Sequence, residues 1–98
     1  MYWVDIFYLS RHLSHVINNR DKGVLKLFGD HLRVLRVEKG LSQQLLALKA
    51  GISKNQVGNI ERGEVNVTLI TAVAICNVLE ITLSQLFAFS HLTASTKQ

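Results

Sequence analysis

No proline occurs anywhere in the chain, and cysteine occurs once, at Cys76. A lone cysteine excludes an internal disulfide and suits a reducing compartment, so the expected location is cytoplasmic. No stretch reaches the ~20 uninterrupted apolar residues that a membrane-spanning helix requires, so no membrane partner is expected. The apolar opening from Met1 to Leu9 is broken by Asp5 and has no basic region before it, which argues against a signal peptide. Glycine-rich phosphate loops, paired carboxylates and a Ser-His-Asp arrangement are missing, so neither an enzyme nor a cofactor is expected. His12 and His15 stand three apart with no third ligand nearby, so no metal site is expected either. His31 and His91 read as surface residues, and Cys76 as packing rather than nucleophile.

What is present describes a globular chain. Its 98 residues suffice for one domain without a separate small-molecule effector domain. Hydrophobic residues make up 48% and charged residues 18%, enough apolar side chains to offset folding entropy. The formal charge of +4 suits a polyanionic partner.

With no proline to break helices and no strand-type alternation, Gly40, Gly51 and Gly63 divide the middle of the chain into helical segments. After the first two glycines a start signal repeats: an apolar residue, a serine, and another apolar residue five places after the first. These are Leu41-Ser42 with Leu46, and Ile52-Ser53 with Val57. Each serine suits an N-cap and each apolar pair a hydrophobic staple. Gln56 after Ser53, and Gln85 after Thr82, complete two capping boxes, and Thr68 is a weaker start. The fold class expected is all-α: a compact domain of five helices at 24–39, 42–50, 53–61, 68–79 and 82–89. Leu32, Leu35, Leu46, Val57, Ile60, Leu69, Val73, Leu79, Leu83 and Leu86 fall at helical spacing as its core.

Residues 1–23 form an extension, 24–90 the domain and 91–98 a tail. In the extension Tyr2, Ile6, Leu9, Leu13 and Val16 recur at alternating intervals of four and three, the seam of an amphipathic helix. This segment reads as a helix packed on its own domain, as a dimer-forming arm, or as a disordered leader or mis-assigned start joined by the polar run from Asn18 to Gly23.

From Leu41 to Gly63 the chain has the pattern of two short helices joined at Gly51, with Leu46, Ala47, Ile52, Val57 and Ile60 facing inward. At about 100° per residue, Asn55, Asn59 and Arg62 then face outward, flanked by Gln56 and Gly58. Amides both give and accept hydrogen bonds on an adenine edge, and cations suit guanine or phosphate. Gly58 is expected to let the backbone approach a partner closely. Lys54 sits in a first helical turn, where the helix dipole disfavours a cation, which points to a partner that wants the charge. No acid occurs from Lys39 to Ile60, and Lys39, Lys49 and Lys54 are expected to gather in one region.

Phe28-Gly29, Leu32-Arg33, Leu35-Arg36, Gly40-Leu41-Ser42-Gln43, Leu46-Ala47, Gly51-Ile52-Ser53 and Ile60-Glu61-Arg62-Gly63 together resemble the Cro/phage-repressor (XRE-type) helix-turn-helix family. Leu69, Leu79 and the run from Leu83 to Phe87 extend the resemblance over about residues 24–88. It implies a lambda-repressor-like fold and a sequence-specific transcriptional regulator whose partner is double-stranded DNA. It further implies that Gln43 touches a phosphate and buttresses the recognition helix, that Lys54 and Asn55 lead in reading bases, and that Gln56 and Asn59 add groove contacts. Arg62 would hold the DNA backbone, Arg36 and Glu61 would form a structural ion pair, and Leu83, Phe87 and Phe89 would line a homodimer interface. The chain departs from the family pattern at Val67, where proline is usual, and at Glu80, where glycine is usual; both changes blur the expected boundaries of the fourth helix. The resemblance leaves open a phage-type repressor, a restriction-modification controller and an antitoxin, and a protein-interaction module using the apolar N-terminal helix is the rival from another class.

Overall fold

The computed structural model describes residues 22–89, and all the regular structure among them is helical. The elements are α1 (Lys22–Glu38), α2 (Gln43–Ala50), α3 (Lys54–Glu61), α4 (Leu69–Leu79) and α5 (Leu83–Leu86). The amphipathic seam from Tyr2 to Val16, His12, His15 and His91 lie outside the described residues. Lys22 and Gly23 belong to α1 rather than to a polar linker.

Local chemistry sets the helix starts. Ser42, Ser53, Thr68 and Thr82 all cap with extended backbone, and each side-chain oxygen accepts from the amide three residues on. These bonds satisfy amides that the first helical turn leaves without partners. A reciprocal capping box forms at Thr82, whose amide donates to Gln85 Oε1 at 2.8 Å. At Ser53 only the forward half forms, the Gln56 amide donating to Ser53 Oγ at 3.0 Å, so the Gln56 side chain stays out of the cap.

Gly40, Gly51 and Gly63 all adopt positive φ, as expected at these helix ends. Gly51 makes the turn between α2 and α3: its amide and that of Ile52 both donate to the Ala47 carbonyl. The fourth helix is sharply bounded despite the departures at Val67 and Glu80. Thr68 starts it, and Glu80 ends it at φ 59, the only non-glycine among the described residues with positive φ. Lys39 Nζ reaches the Glu80 carboxylate at 2.7 Å and holds it below its ordinary pKa.

The core is built where α2 packs on α3 and α4, α1 lies on α3, and α5 closes on α4. Leu32, Leu46, Val57, Ile60, Ile75, Leu79 and Leu86 are its fully buried side chains. Three residues expected in the core are exposed: Leu69 (67%), Val73 and Leu83, while Leu35 is only partly buried. In α4 the buried face is Thr71, Ala72, Ile75, Cys76 and Leu79. The sequence Leu-Ile-Thr-Ala-Val-Ala-Ile-Cys-Asn-Val-Leu is apolar on nearly every side, so its periodicity carried little information about phase. The last helix also ends earlier than expected, at Leu86. Beyond it Phe87 stacks on the buried Phe28 with ring centres 5.5 Å apart, and Phe89 tilts against both Phe28 and His31.

Candidate nucleic-acid interface

A backbone contact between α1 and α3 fixes how the second motif helix is held. A Cβ on Gly29 would lie 2.5 Å from the carbonyl oxygens of both Ile60 and Glu61, so the two helices touch main chain to main chain. A buried ion pair stands beside this contact. Arg36 Nε donates to Glu61 Oε2 at 2.6 Å and Nη2 to Oε1 at 3.0 Å, the forked geometry that suits guanidinium and carboxylate. Arg36 Nη1 also donates to the Leu41 carbonyl at 2.7 Å, and Gln43 Nε2 donates to Glu61 Oε1 at 2.9 Å. Gln43, the first residue of α2, thereby ties the start of one motif helix to the end of the other.

The opposite side of α3 carries the outward residues of the sequence analysis. Lys54 and Asn55 are exposed, and Gln56 and Asn59 are half-buried. Lys54 stands at the head of α3 beside Gln44 and Leu48 of α2, which with Ala47 and Ile52 line a shallow hollow of about 270 Å³. Gln44, exposed and next to Gln43, had no role in the sequence reading. At the other end Arg62 Nη2 donates to Asn59 Oδ1, and Arg62 Nε lies 3.2 Å from Glu64 Oε2. Arg62 also lines a cleft of about 640 Å³ with Lys22, Lys26, Gly63 and Glu64, which brings two further lysines to this edge.

Four features differ from expectation. Gly58 is buried, and a Cβ there would lie 3.0 Å from Arg62 Nη1, so the missing side chain makes room for the guanidinium rather than for an approaching partner. Lys39 and Lys49 do not reinforce Lys54. Lys39 pairs with Glu80, and the charge of Lys49 also acts on that carboxylate, because the fold returns an acid to a stretch that has none of its own. His31 is half-buried and meets the Gln85 carbonyl at 2.9 Å, linking α1 to the end of α5. Of the three residues expected at an interface, Leu83 and Phe87 are exposed but Phe89 is half-buried against its own domain.

Among the described residues no helix is long and apolar enough to cross a membrane. The arrangement is a short helix backed by main chain and a buried ion pair, with amides and Lys54 on its free face and Arg62, paired with Glu64, at its end.

Comparison with known proteins gives the same architecture. The helix-turn-helix family (HTH_3) matches residues 32–86. The chain is 40% identical over 62 residues to the control protein C.MunI of Mycoplasma sp, spanning 62% of this chain and 84% of that protein. It is 43% identical to the crystal structure of the restriction-modification controller protein C.AhdI from Aeromonas hydrophila, with a TM-score of 0.63 over 64% of this chain and 96% of that one. An HTH_3 family transcriptional regulator from Vibrio cholerae is 37% identical with a TM-score of 0.64, over 69% of this chain and 38% of the other. The capped helix pair around Gly51, its rigid backing and these likenesses agree: the chain belongs to the Cro/C1-type (XRE) helix-turn-helix family of DNA-binding transcriptional regulators.

Proposed function

We propose that this regulator is a small cytoplasmic homodimeric repressor or autoregulator that lays α3 in the major groove of a two-fold DNA site. The observation that carries the reading is the acid-free outward face of α3, backed by the Gly29 contact and the Arg36–Glu61 pair. A helix so held presents its outward side chains from a fixed axis and loses little freedom of its own on binding, which favours direct readout. Lys54 and Asn55 lead at the base edges, Gln56 and Asn59 follow, and Gln43 and Arg62 engage phosphates at either end. Gln43 has this role available because its bond to Glu61 uses one hydrogen of the amide NH2 group and leaves the second for a phosphate oxygen.

The likeness to C.MunI and C.AhdI, a control protein and a restriction-modification controller, supports a role of the same kind: setting the expression of a restriction-modification system, its own gene included. The second copy docks through the end of the domain, where Leu83 and Phe87 are exposed and Phe89 supports Phe87 from within through Phe28. Half-sites one helical turn apart, about 34 Å, suit such a dimer.

The test is selection from random duplex DNA, repeated across a salt series. A two-fold motif is the expected result, with affinity falling steeply as salt rises because bound phosphates release counterions. Lys54→Glu combined with Asn55→Asp should abolish retention while leaving the melting temperature in place. Retention without an enriched motif overturns the sequence-specific reading. A monomer at concentrations that saturate the DNA overturns the dimer.

A further inference from the structure

We infer that Arg62 is a positioning residue for Asn59 and thereby sets which base edge that amide reads. The inference rests on α3 being the groove helix. Two contacts and one open space locate the Arg62 guanidinium: its Nη2 donates to Asn59 Oδ1, its Nε faces Glu64 Oε2 at 3.2 Å, and its Nη1 lies over the bare Cα of Gly58. Gly58 is therefore part of the device, since a Cβ there would stand 3.0 Å from Nη1 and 3.6 Å from Cζ.

A guanidinium only donates hydrogen bonds, so it fixes the Asn59 amide with its oxygen toward Arg62 and its NH2 group turned away. An asparagine free to rotate offers a donor and an acceptor side by side, the complement of adenine N6 and N7. Asn59 instead offers donors, with one lone pair of its oxygen taken and a positive charge beside it that repels the hydrogens of an adenine or cytosine amino group. The base edges that suit it present acceptors: guanine through O6 and N7, or thymine through O4. In water an exposed contact of this kind holds the amide weakly, but docking in a groove excludes water and strengthens it.

The experiment is selection from random duplexes with the full chain as wild type, Asn59→Ala and Arg62→Met, each checked by thermal melting. Asn59→Ala identifies the half-site position that Asn59 reads, as the one whose preference relaxes. The wild type is expected to prefer guanine or thymine there by about tenfold over adenine. Arg62→Met is expected to bind more weakly overall and to shift toward adenine at that position alone. An Arg62→Met protein that binds more weakly with the wild-type preference intact would make Arg62 a phosphate contact only and overturn the inference. A wild-type preference for adenine at that position also overturns it. If Asn59→Ala relaxes nothing while the wild type still enriches a motif, this inference fails and the groove reading of α3 stands. A wild type that enriches no motif removes both.

Discussion

Arg36 and Glu61, 25 residues apart, meet through two hydrogen bonds at 2.6 and 3.0 Å in the space between α1 and the end of α3. Both side chains are almost wholly buried, and the remaining polar atoms are satisfied by the Leu41 carbonyl and by Gln43. Replacing Glu61 with alanine leaves a buried guanidinium without its counter-charge, which is expected to destabilise the fold by about 3–5 kcal/mol. Replacing both partners with apolar residues, Arg36→Met with Glu61→Leu, is expected to restore most of that loss, because the desolvation cost of both charges disappears with them. Urea unfolding of the two variants checks the pair; equal stability of Glu61→Ala and the wild type would remove its structural role.

Gly29→Ala drives a methyl group into the carbonyls of Ile60 and Glu61, neither of which can yield without moving α3. Alanine favours the helix by about 1 kcal/mol over glycine, but overpacking against fixed backbone costs about 1–3 kcal/mol and is expected to win. The variant should unfold at lower urea and bind DNA less tightly, since α3 is the element displaced. Gly58→Ala is the contrast, because there the neighbour is the movable end of Arg62 and the fold should keep its stability.

Glu80→Gly places the residue best suited to positive φ at the one position among the described residues where a side chain now adopts it. The melting temperature at neutral pH is expected to rise by a few degrees, with the lost exposed contact to Lys39 offsetting only part of the gain. The pH dependence has a definite sign. Lys39 lowers the Glu80 pKa from its ordinary 4.5, so the wild type keeps this contribution above that value and loses it as pH falls through the lowered pKa. The advantage of Glu80→Gly should therefore widen on acidification, which melting curves at neutral and acid pH measure directly.

Cys76 is buried in the middle of α4, and burial raises its thiol pKa above the ordinary 9.0. The folded protein keeps the proton where the unfolded chain would release it, so this contribution is complete below 9.0 and stability falls as pH rises beyond it. Iodoacetamide at mildly alkaline pH should label the native protein slowly and the urea-unfolded protein fast. Equal rates would mean that the thiol is accessible in the fold.

Helix starts were legible in the sequence because capping is a contact over three residues: Ser42, Ser53, Thr68 and Thr82 announce their helices without help from the rest of the fold. The outward residues of α3 were legible for a related reason, since Val57 and Ile60 fix the phase of an eight-residue helix that has polar side chains elsewhere. Where the signal failed, the missing information was long-range or degenerate. Leu69 and Val73 could not be told from Ala72 and Cys76 on a helix apolar all round. The acid-free run from Lys39 to Ile60 was real, yet Glu80 reaches Lys39 from 41 residues away. Phe87 and Phe89 turn out of the helix to pack on Phe28, a choice settled by a partner some sixty residues earlier in the chain.

The main-chain contact at Gly29 separates two properties that many binding proteins keep entangled. The aim of α3 is set by backbone atoms and by Arg36, Gln43 and Glu61, none of which is Lys54, Asn55, Gln56 or Asn59. On the proposed reading of α3, substitutions at the latter four are expected to change the DNA address while leaving the fold as it is. On that reading, a lineage of such chains would be able to move from one operator to another in single steps, each of them a folded protein. Target choice can therefore diverge quickly while the framework that presents it stays nearly still.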